Sequence, residues 1–441
     1  FLVSEGNLNH LNQLIQKFSP AEILVPKPLK ATFNALFGTE LNPFFQEDWV
    51  FQDTFAQELL QQHFNTTSLK GFGLELFTTG IISAGAVLHY LSETQHNKLQ
   101  HITSLQKIAS DDFVGIDRFT ARNLELLYST ATGGVALIDV IDYTATAMGG
   151  RLLRNWVSFP LKSVEKIQER HAVVKAYIAA SDATTQLRHH LKKIGDIERL
   201  MAKIATQKIS PRELNILQQS ISESNRIKSM LAESGQKELV QRAAQLPPCK
   251  RLNDTIANTL KEEAPVATSK GNFIAEGFSA ELDELRALLR SGKAHLDAML
   301  ERETEATGIP SLKIAFNNVF GYYIEVRNTH RDKVPEQWTR KQTLVNAERY
   351  ITEELKEYEN KILGAEDKIQ QLELRFYQEL LDQLQNDLSE LKQAAVSLSQ
   401  IDCLQSFAHL ATKHHYCCPQ IEAGTHLDIT EGRHPVIEQQ L

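Results

Sequence analysis

The chain has 441 residues, a formal charge of −8, 42% apolar and 23% charged side chains. That balance suits a protein of roughly two to four domains with ample buried core. It contains no run of about eighteen apolar residues and no secretory signal, which argues against a membrane-spanning helix. Four cysteines, Cys249, Cys403, Cys417 and Cys418, are too few and too unevenly placed for a disulfide framework, so a cytoplasmic location is expected. The acidic balance argues against a wholly nucleic-acid-coating protein but leaves room for a local basic surface. The sequence opens at Phe1, without Met and in mid-pattern, so a piece of a longer protein is expected.

Residues 1–30 read as the end of an α/β unit. Leu8, Leu11, Leu14, Ile15 and Phe18 mark one helix face, Pro20 ends it, and Glu22–Val25 is a short buried strand before Pro26. Two helices are expected at Asp53–Phe64 and Thr79–Tyr90, joined by a loop holding Gly71 and Gly73. Residues 113–117 look extended, with Asp117 placed to cap a following helix whose inner face carries Leu124 and Leu127. From Gly133 to about Pro265 the pattern is nearly all helix. Ser210-Pro211-Arg212-Glu213 is a start signal there, with Ser at the cap, Pro at the first helical position and Glu three after the cap.

Two long helical patterns follow. Leu282, Leu285, Leu289, Gly292, Leu296 and Met299 step by three and four, with Gly292 the weak place. Leu355, Tyr358, Ile362, Ala365, Ile369, Leu372 and Phe376 step the same way, and Leu380, Leu384, Leu388 and Leu391 prolong the stripe. Such spacing is the seam of one helix packed along another. A chain that goes out and returns in this way makes an antiparallel arm, and roughly 38 residues of helix span on the order of 55 Å. A last helix is expected to about His414, then extended character at Leu427–Ile437.

Between the two patterns, residues 312–327 are β-rich and aromatic. They suggest a hairpin around Asn317-Asn318, with Gly321 relieving a bulge or a close approach. Arg327, Arg331, Lys333, Arg340, Lys341 and Arg349 then face only Asp332, Glu336 and Glu348, a local surplus of three positive charges on an acidic chain. Arg and Lys pair with phosphate oxygens, and Thr, Asn and Gln bond to them without reading bases. A solvated charged face is the plainer alternative. Elsewhere His414-His415-Tyr416-Cys417-Cys418 fits no zinc spacing and reads as structural. His189-His190 reads as a polar helix end, and Gly71-Phe72-Gly73 lacks the third glycine of a dinucleotide loop. No phosphate-binding, zinc-protease or nucleophile-elbow motif is present, and nothing assembles a catalytic site.

The sequence resembles the MutS family of DNA mismatch-repair ATPases. The resemblance is carried by Phe320-Gly-Tyr-Tyr-Ile-Glu-Val326, Arg340-Lys-Gln-Thr-Leu-Val-Asn-Ala-Glu-Arg-Tyr350 and Glu354-Leu-Lys-Glu-Tyr358. Gly115-Ile-Asp117, Arg122-Asn-Leu-Glu125, Thr146-Ala-Met-Gly-Gly-Arg-Leu-Leu-Arg-Asn-Trp156, Gly195-Asp-Ile-Glu-Arg199 and Thr430-Glu-Gly-Arg-His-Pro-Val-Ile-Glu438 extend it over most of the chain. It implies a mainly α fold: a multi-helical core and lever, a long antiparallel arm carrying a small β-rich clamp, and part of an α/β connector. The implied layout is connector over 1–112, core and lever over 113–292 and 353–416, clamp over 293–352, and the start of an ATPase domain over 417–441.

The same resemblance implies that the mismatch-reading Phe-x-Glu motif belongs before Phe1 and the Walker loop beyond Leu441. The chain itself is then expected neither to read mismatches nor to hydrolyse ATP, with no cofactor or metal of its own. ATP, Mg, homodimerisation and a MutL-like partner belong to the full-length parent. In relatives the clamp holds double-stranded DNA by its backbone. Matching motif positions carry that contact to Asn317 and Asn346, and physical chemistry adds Arg340, Lys341, Thr343 and Arg349. Val345 departs from the pattern, standing where some relatives have a basic residue. Two alternatives stay open: a coiled-coil scaffold whose tip binds protein, and a MutS-like recombination protein.

Overall fold

The computed structural model describes residues 1–18, 20–38, 41–66, 68–72, 74, 77–94, 99, 102, 105–107, 113–116, 118–317 and 321–440. The chain divides into two compact units. One comprises Phe1–Ile209, Ile216–Asn253 and Gln383–Leu441; the other comprises Ser210–Asn215 and Asp254–Asp382.

In the first unit the N-terminal elements are β1 (Leu2–Val3), α1 (Leu8–Phe18), β2 (Ile23–Pro26), α2 (Lys30–Phe37), β3 (Pro43–Gln46), α3 (Asp53–His63), α4 (Thr78–Thr94) and β4 (Gln106–Lys107). The strands form two short parallel pairs, β1 with β4 and β2 with β3. Ala56 and Leu60 of α3 and Ile81, Ala84 and Leu88 of α4 bury into one apolar cluster with Val3, Leu74 and Leu105. Gly85 is required where α4 meets α3, because a Cβ there would lie 2.6 Å from the Cα of Ala56.

The remainder of this unit is helical: α5 (Arg118–Asn123), α6 (Leu137–Ile141), α7 (Ala147–Ser158), α8 (Val164–Ala179), α9 (Ser181–Leu191) and α10 (Ile197–Ala205). Then come α11 (Pro211–Ala232), α12 (Lys237–Gln245) and α13 (Lys250–Thr259), of which the start of α11 and α13 from Asp254 onward are counted with the second unit. Ser210 and Glu213 start α11 as the sequence indicates, the Glu213 carboxylate accepting the Ser210 N–H at 3.0 Å. Two of the sequence stretches singled out above meet here. Arg151 donates twice to Asp196, at 2.8 and 2.7 Å, and also reaches Glu198. The Asp196 carboxyl is held below the ordinary carboxylate range chiefly by the Arg151 hydrogen bonds.

Two local expectations are corrected. Leu124 does not lie on the inner face of a helix. Helix α5 ends at Asn123, Glu125 takes a positive φ of 46°, and Leu124 is exposed, while Leu127 packs on the Ala136, Ile138, Leu153 and Cys403 cluster. Residues 427–437 form no strand; Leu427 and Ile429 are exposed, and a short 3-10 turn covers Ile437–Gln439. Asp117, expected to cap α5, lies outside the described residues.

The second unit is built on α14 (Ala280–Thr307) and α15 (Glu353–Gln385), with strands β5 (Lys313–Asn317), β6 (Gly321–Arg327), β7 (Thr339–Thr343) and β8 (Ala347–Ile351) between them. Ser279 caps α14, and Gly308 ends it in the left-handed conformation. The helices run antiparallel, because contacts pair later residues of one with earlier residues of the other. Arg286 bonds Glu373 at 2.7 Å, His295 stacks on Tyr358, and Arg302 pairs with Glu354. The stripe is as spaced: Leu355, Ile362, Ala365, Leu372 and Leu380 are buried, as are Leu282 and Met299 opposite. Its continuation is corrected. Helix α15 stops at Gln385, and Leu388 and Leu391 belong to α16 (Leu388–Lys413), because Asn386 and Asp387 turn the chain with 3-10-type bonds to Gln383 and Leu384.

Arg286 and Glu373 form a buried ion pair braced by further hydrogen bonds. Arg286 also donates to the Ile274 carbonyl at 2.9 Å, and Glu373 accepts the Asn272 N–H at 2.7 Å. The four strands make an antiparallel sheet in the order β5-β6-β8-β7. Alternation along β6 sends Ile324 and Val326 inward onto Met299, Ile309, Leu312, Trp338 and Leu355. The sheet and the facing ends of α14 and α15 thus share one core.

Candidate nucleic-acid interface

The basic residues noted in the sequence fall on this sheet and its connections. Asn317 ends β5 and pairs in register with Gly321, while Asn318, with which Asn317 was expected to form the turn, lies outside the described residues. Gly321 has a φ of +74°, and a Cβ on it would lie 1.9 Å from a carboxylate oxygen of Glu359 on α15. The glycine therefore permits a close approach, in which the Glu359 carboxylate also accepts the Tyr322 N–H at 3.2 Å. A run of rings, Phe316, Tyr322, Tyr358 and His295, links the sheet edge to both helices at centroid spacings of 5.0, 5.8 and 5.3 Å.

Strand β7 is an edge strand carrying Arg340, Lys341 and Thr343, all exposed. Its register against β8 slips between Arg340 and Gln342, so Lys341 is the extra residue of a bulge. A bulge re-aims a side chain and blunts an edge against pairing with another chain. Asn346 sits in the β7–β8 loop, which is pinned from the side by Asn328. The Asn328 amide side chain donates to the Val345 carbonyl at 3.0 Å and its N–H to the Asn346 carbonyl at 3.2 Å. Val345 is thereby held at the loop tip with 91% of its surface exposed.

Arg349 is placed differently from the other candidates. It lies on the outer sheet face, with its guanidinium 4.2 Å over the Tyr323 ring, 2.9 Å from the Gln342 amide oxygen and 3.4 Å from Glu325. It organises the sheet surface as much as it offers charge. Arg327, Arg331 and Lys333 are exposed on or beside the 3-10 turn Asn328–Lys333, and Lys313 on β5 is exposed as well.

Glu348, counted in the sequence only as a charge offset, has a position that charge counting could not give. Opposite Val326, it points into the inner face and is buried. One carboxylate oxygen meets Arg331 at 3.5 Å and Arg340 at 3.4 Å, and the other accepts the Tyr350 hydroxyl. The Tyr350 hydrogen bond, followed by the two arginines, holds the Glu348 carboxyl below its ordinary range, while burial and then Glu348 raise the Tyr350 phenol. Alternation along β8 and the pairing register were the signals that could have found it.

Other candidate groups take structural roles. His190 bonds Glu223 at 2.6 Å, and Arg433 donates to the His414 and His415 carbonyls. Among the described residues no group of three or more His, Cys, Asp and Glu could hold a metal ion, and no helix is long and apolar enough to cross a membrane.

Comparison with known proteins places this geometry in a family. The profile of MutS domain III matches residues 119–408, and that of MutS domain II matches residues 1–103. A DNA mismatch repair protein MutS of Flavobacterium johnsoniae is 52% identical over all 441 residues, which cover 51% of that protein. Proteins of the same name from Cytophaga hutchinsonii and Bacteroides thetaiotaomicron are 48% and 46% identical over the whole chain, with 52% and 51% of their lengths covered. The chain thus spans about half the length of the curated relatives it matches. A match this long, running through both units, shows that the chain belongs to the MutS family.

Proposed function

We propose that this chain is the connector end, lever and clamp portion of a DNA mismatch-repair ATPase. In this reading the β5–β8 sheet grips duplex DNA through its sugar-phosphate backbone, and the α14–α15 pair carries the grip. The observation that bears most weight is the composition of the exposed side chains on the sheet and its connections. Lys313, Arg327, Arg331, Lys333, Arg340 and Lys341 are exposed, against Asp332 and Glu336. Such a surface neutralises phosphates without reading base edges.

Arg340, Lys341, Thr343 and Asn346 occupy one edge strand and its loop, and Asn317 ends the opposite edge strand. Contacts from these two edges would straddle a backbone. Arg349, tied to Tyr323, Gln342 and Glu325, would hold the surface in shape more than grip a phosphate. Backbone-only contact would let a closed assembly slide, because nothing fixes its register on the sequence. Buried ion pairing between Arg286 and Glu373 would keep the helix pair from slipping, so that a small rotation at one end moves the sheet as a body.

The remaining parts of the reading concern the whole protein. ATP and Mg would be held outside this chain, which would have no catalytic residues of its own. Homodimerisation and a MutL-like partner would likewise depend on other segments, in the cytoplasm. Charge reversal at Arg340 and Lys341 in the full-length protein tests the clamp. We expect weaker binding of matched and mismatched duplexes by similar factors. A loss confined to mismatched DNA would contradict a backbone grip.

A further inference from the structure

Glu348 is an odd residue to bury in a surface built to hold phosphate. A lone carboxylate there lowers the local positive potential, and burying it costs free energy unless its partners are well placed. Its partners come from two separate segments, Arg331 from the turn after β6 and Arg340 from edge strand β7, and both reach the same carboxylate oxygen. The second oxygen is fixed by Tyr350, whose ring lies in the core beside Trp338. The carboxylate is therefore anchored from below, while the two arginine side chains remain 60% and 52% exposed.

We propose that Glu348 is a positioning residue that gathers Arg331 and Arg340 into a paired-guanidinium seat for a single backbone phosphate. Two guanidinium groups around one carboxylate carry one net positive charge, which matches one phosphodiester. Each guanidinium has five N–H donors in a planar fork, and one contact to Glu348 leaves donors for a phosphate. Without the carboxylate the two cations would repel each other and spread among their rotamers, so binding would have to order them first. The inference rests on the DNA-clamp reading and adds to it a residue that does not itself touch DNA.

The test turns on the sign of one effect. If only net charge mattered, Glu348→Gln would remove a negative charge and tighten duplex binding. A positioning role predicts the reverse. Matched-duplex affinity of the full-length protein should fall by about 3- to 10-fold, and the slope of log K against log salt should shrink by up to about one, the share of a single phosphate. In a double-mutant cycle, replacing both arginines by Gln should cost less in the Glu348→Gln background than in the wild type.

Tyr350→Phe removes only the hydroxyl that fixes the second oxygen and serves if Glu348→Gln does not fold; affinity should drop about 2- to 3-fold in the same direction. Equal or tighter binding by Glu348→Gln, or strictly additive costs in the cycle, would overturn the inference. If instead Arg340→Glu with Lys341→Glu leaves duplex binding unchanged, the clamp reading itself has failed.

Discussion

Gly321 shows how one residue ties the sheet to the helices. Its φ of +74° belongs to the left-handed region, and the space where a side chain would sit is taken by the Glu359 carboxylate. Gly321→Ala should therefore cost at least about 1–2 kcal/mol for the backbone conformation alone. The cost should be larger with Glu359 intact than in a Glu359→Ala background, a difference that denaturant melts of the single and double variants would measure. An equal cost in both backgrounds would remove Glu359 as the reason for the glycine. The sequence already marked Gly321 as a bulge or a close approach, since glycine inside an aromatic strand has few other uses. The choice between the two depended on Glu359, 38 positions along the chain, which no local pattern supplies.

At the scale of elements, the antiparallel pair α14 and α15 was legible because burial follows spacing. Leu355, Ile362, Ala365 and Leu372 are inside because a helix repeats its inner face every three to four residues. Where the pattern misled, local chemistry had broken the helix while the apolar spacing ran on. Leu388 and Leu391 continue the count, but Asn386-Asp387 turns the chain first. Leu124 failed for a related reason, since α5 is too short to carry it inward.

The buried Arg286–Glu373 pair was invisible to a reading that sorted charged residues to the outside. Removing Glu373 leaves the buried Arg286 with only Asp283, at 3.5 Å, as a charged partner, so the cost should approach the ~3–5 kcal/mol of a broken buried pair. Glu373→Ala should lower stability by about 3 kcal/mol in equilibrium unfolding, whereas a loss below about 1 kcal/mol would mean that Asp283 or water takes over the Arg286 charge. Replacing both members by apolar residues should be far milder than the single change.

For the whole molecule, sign and location of charge matter more than the total. A chain of formal charge −8 is a poor candidate for phosphate binding until its basic residues are placed. Six exposed cations on one small sheet and the turn beside it make it a good one. That placement was partly legible, since Arg327 through Arg349 cluster in sequence and the β pattern grouped them. The different standing of Arg349 and the burial of Glu348 were not, because both depend on which sheet face each strand turns to the core.

The most direct measurement is the salt dependence of matched-duplex binding by the full-length protein, with Arg327, Arg331, Arg340 and Lys341 changed together to Gln. If these side chains neutralise phosphates, with Arg331 and Arg340 sharing one, they account for three contacts of about 0.9 each in the slope of log K against log salt, and the variant's slope should be shallower by about two to three. A slope equal to that of the wild type would contradict the account, since these exposed cations would then not be where DNA is held.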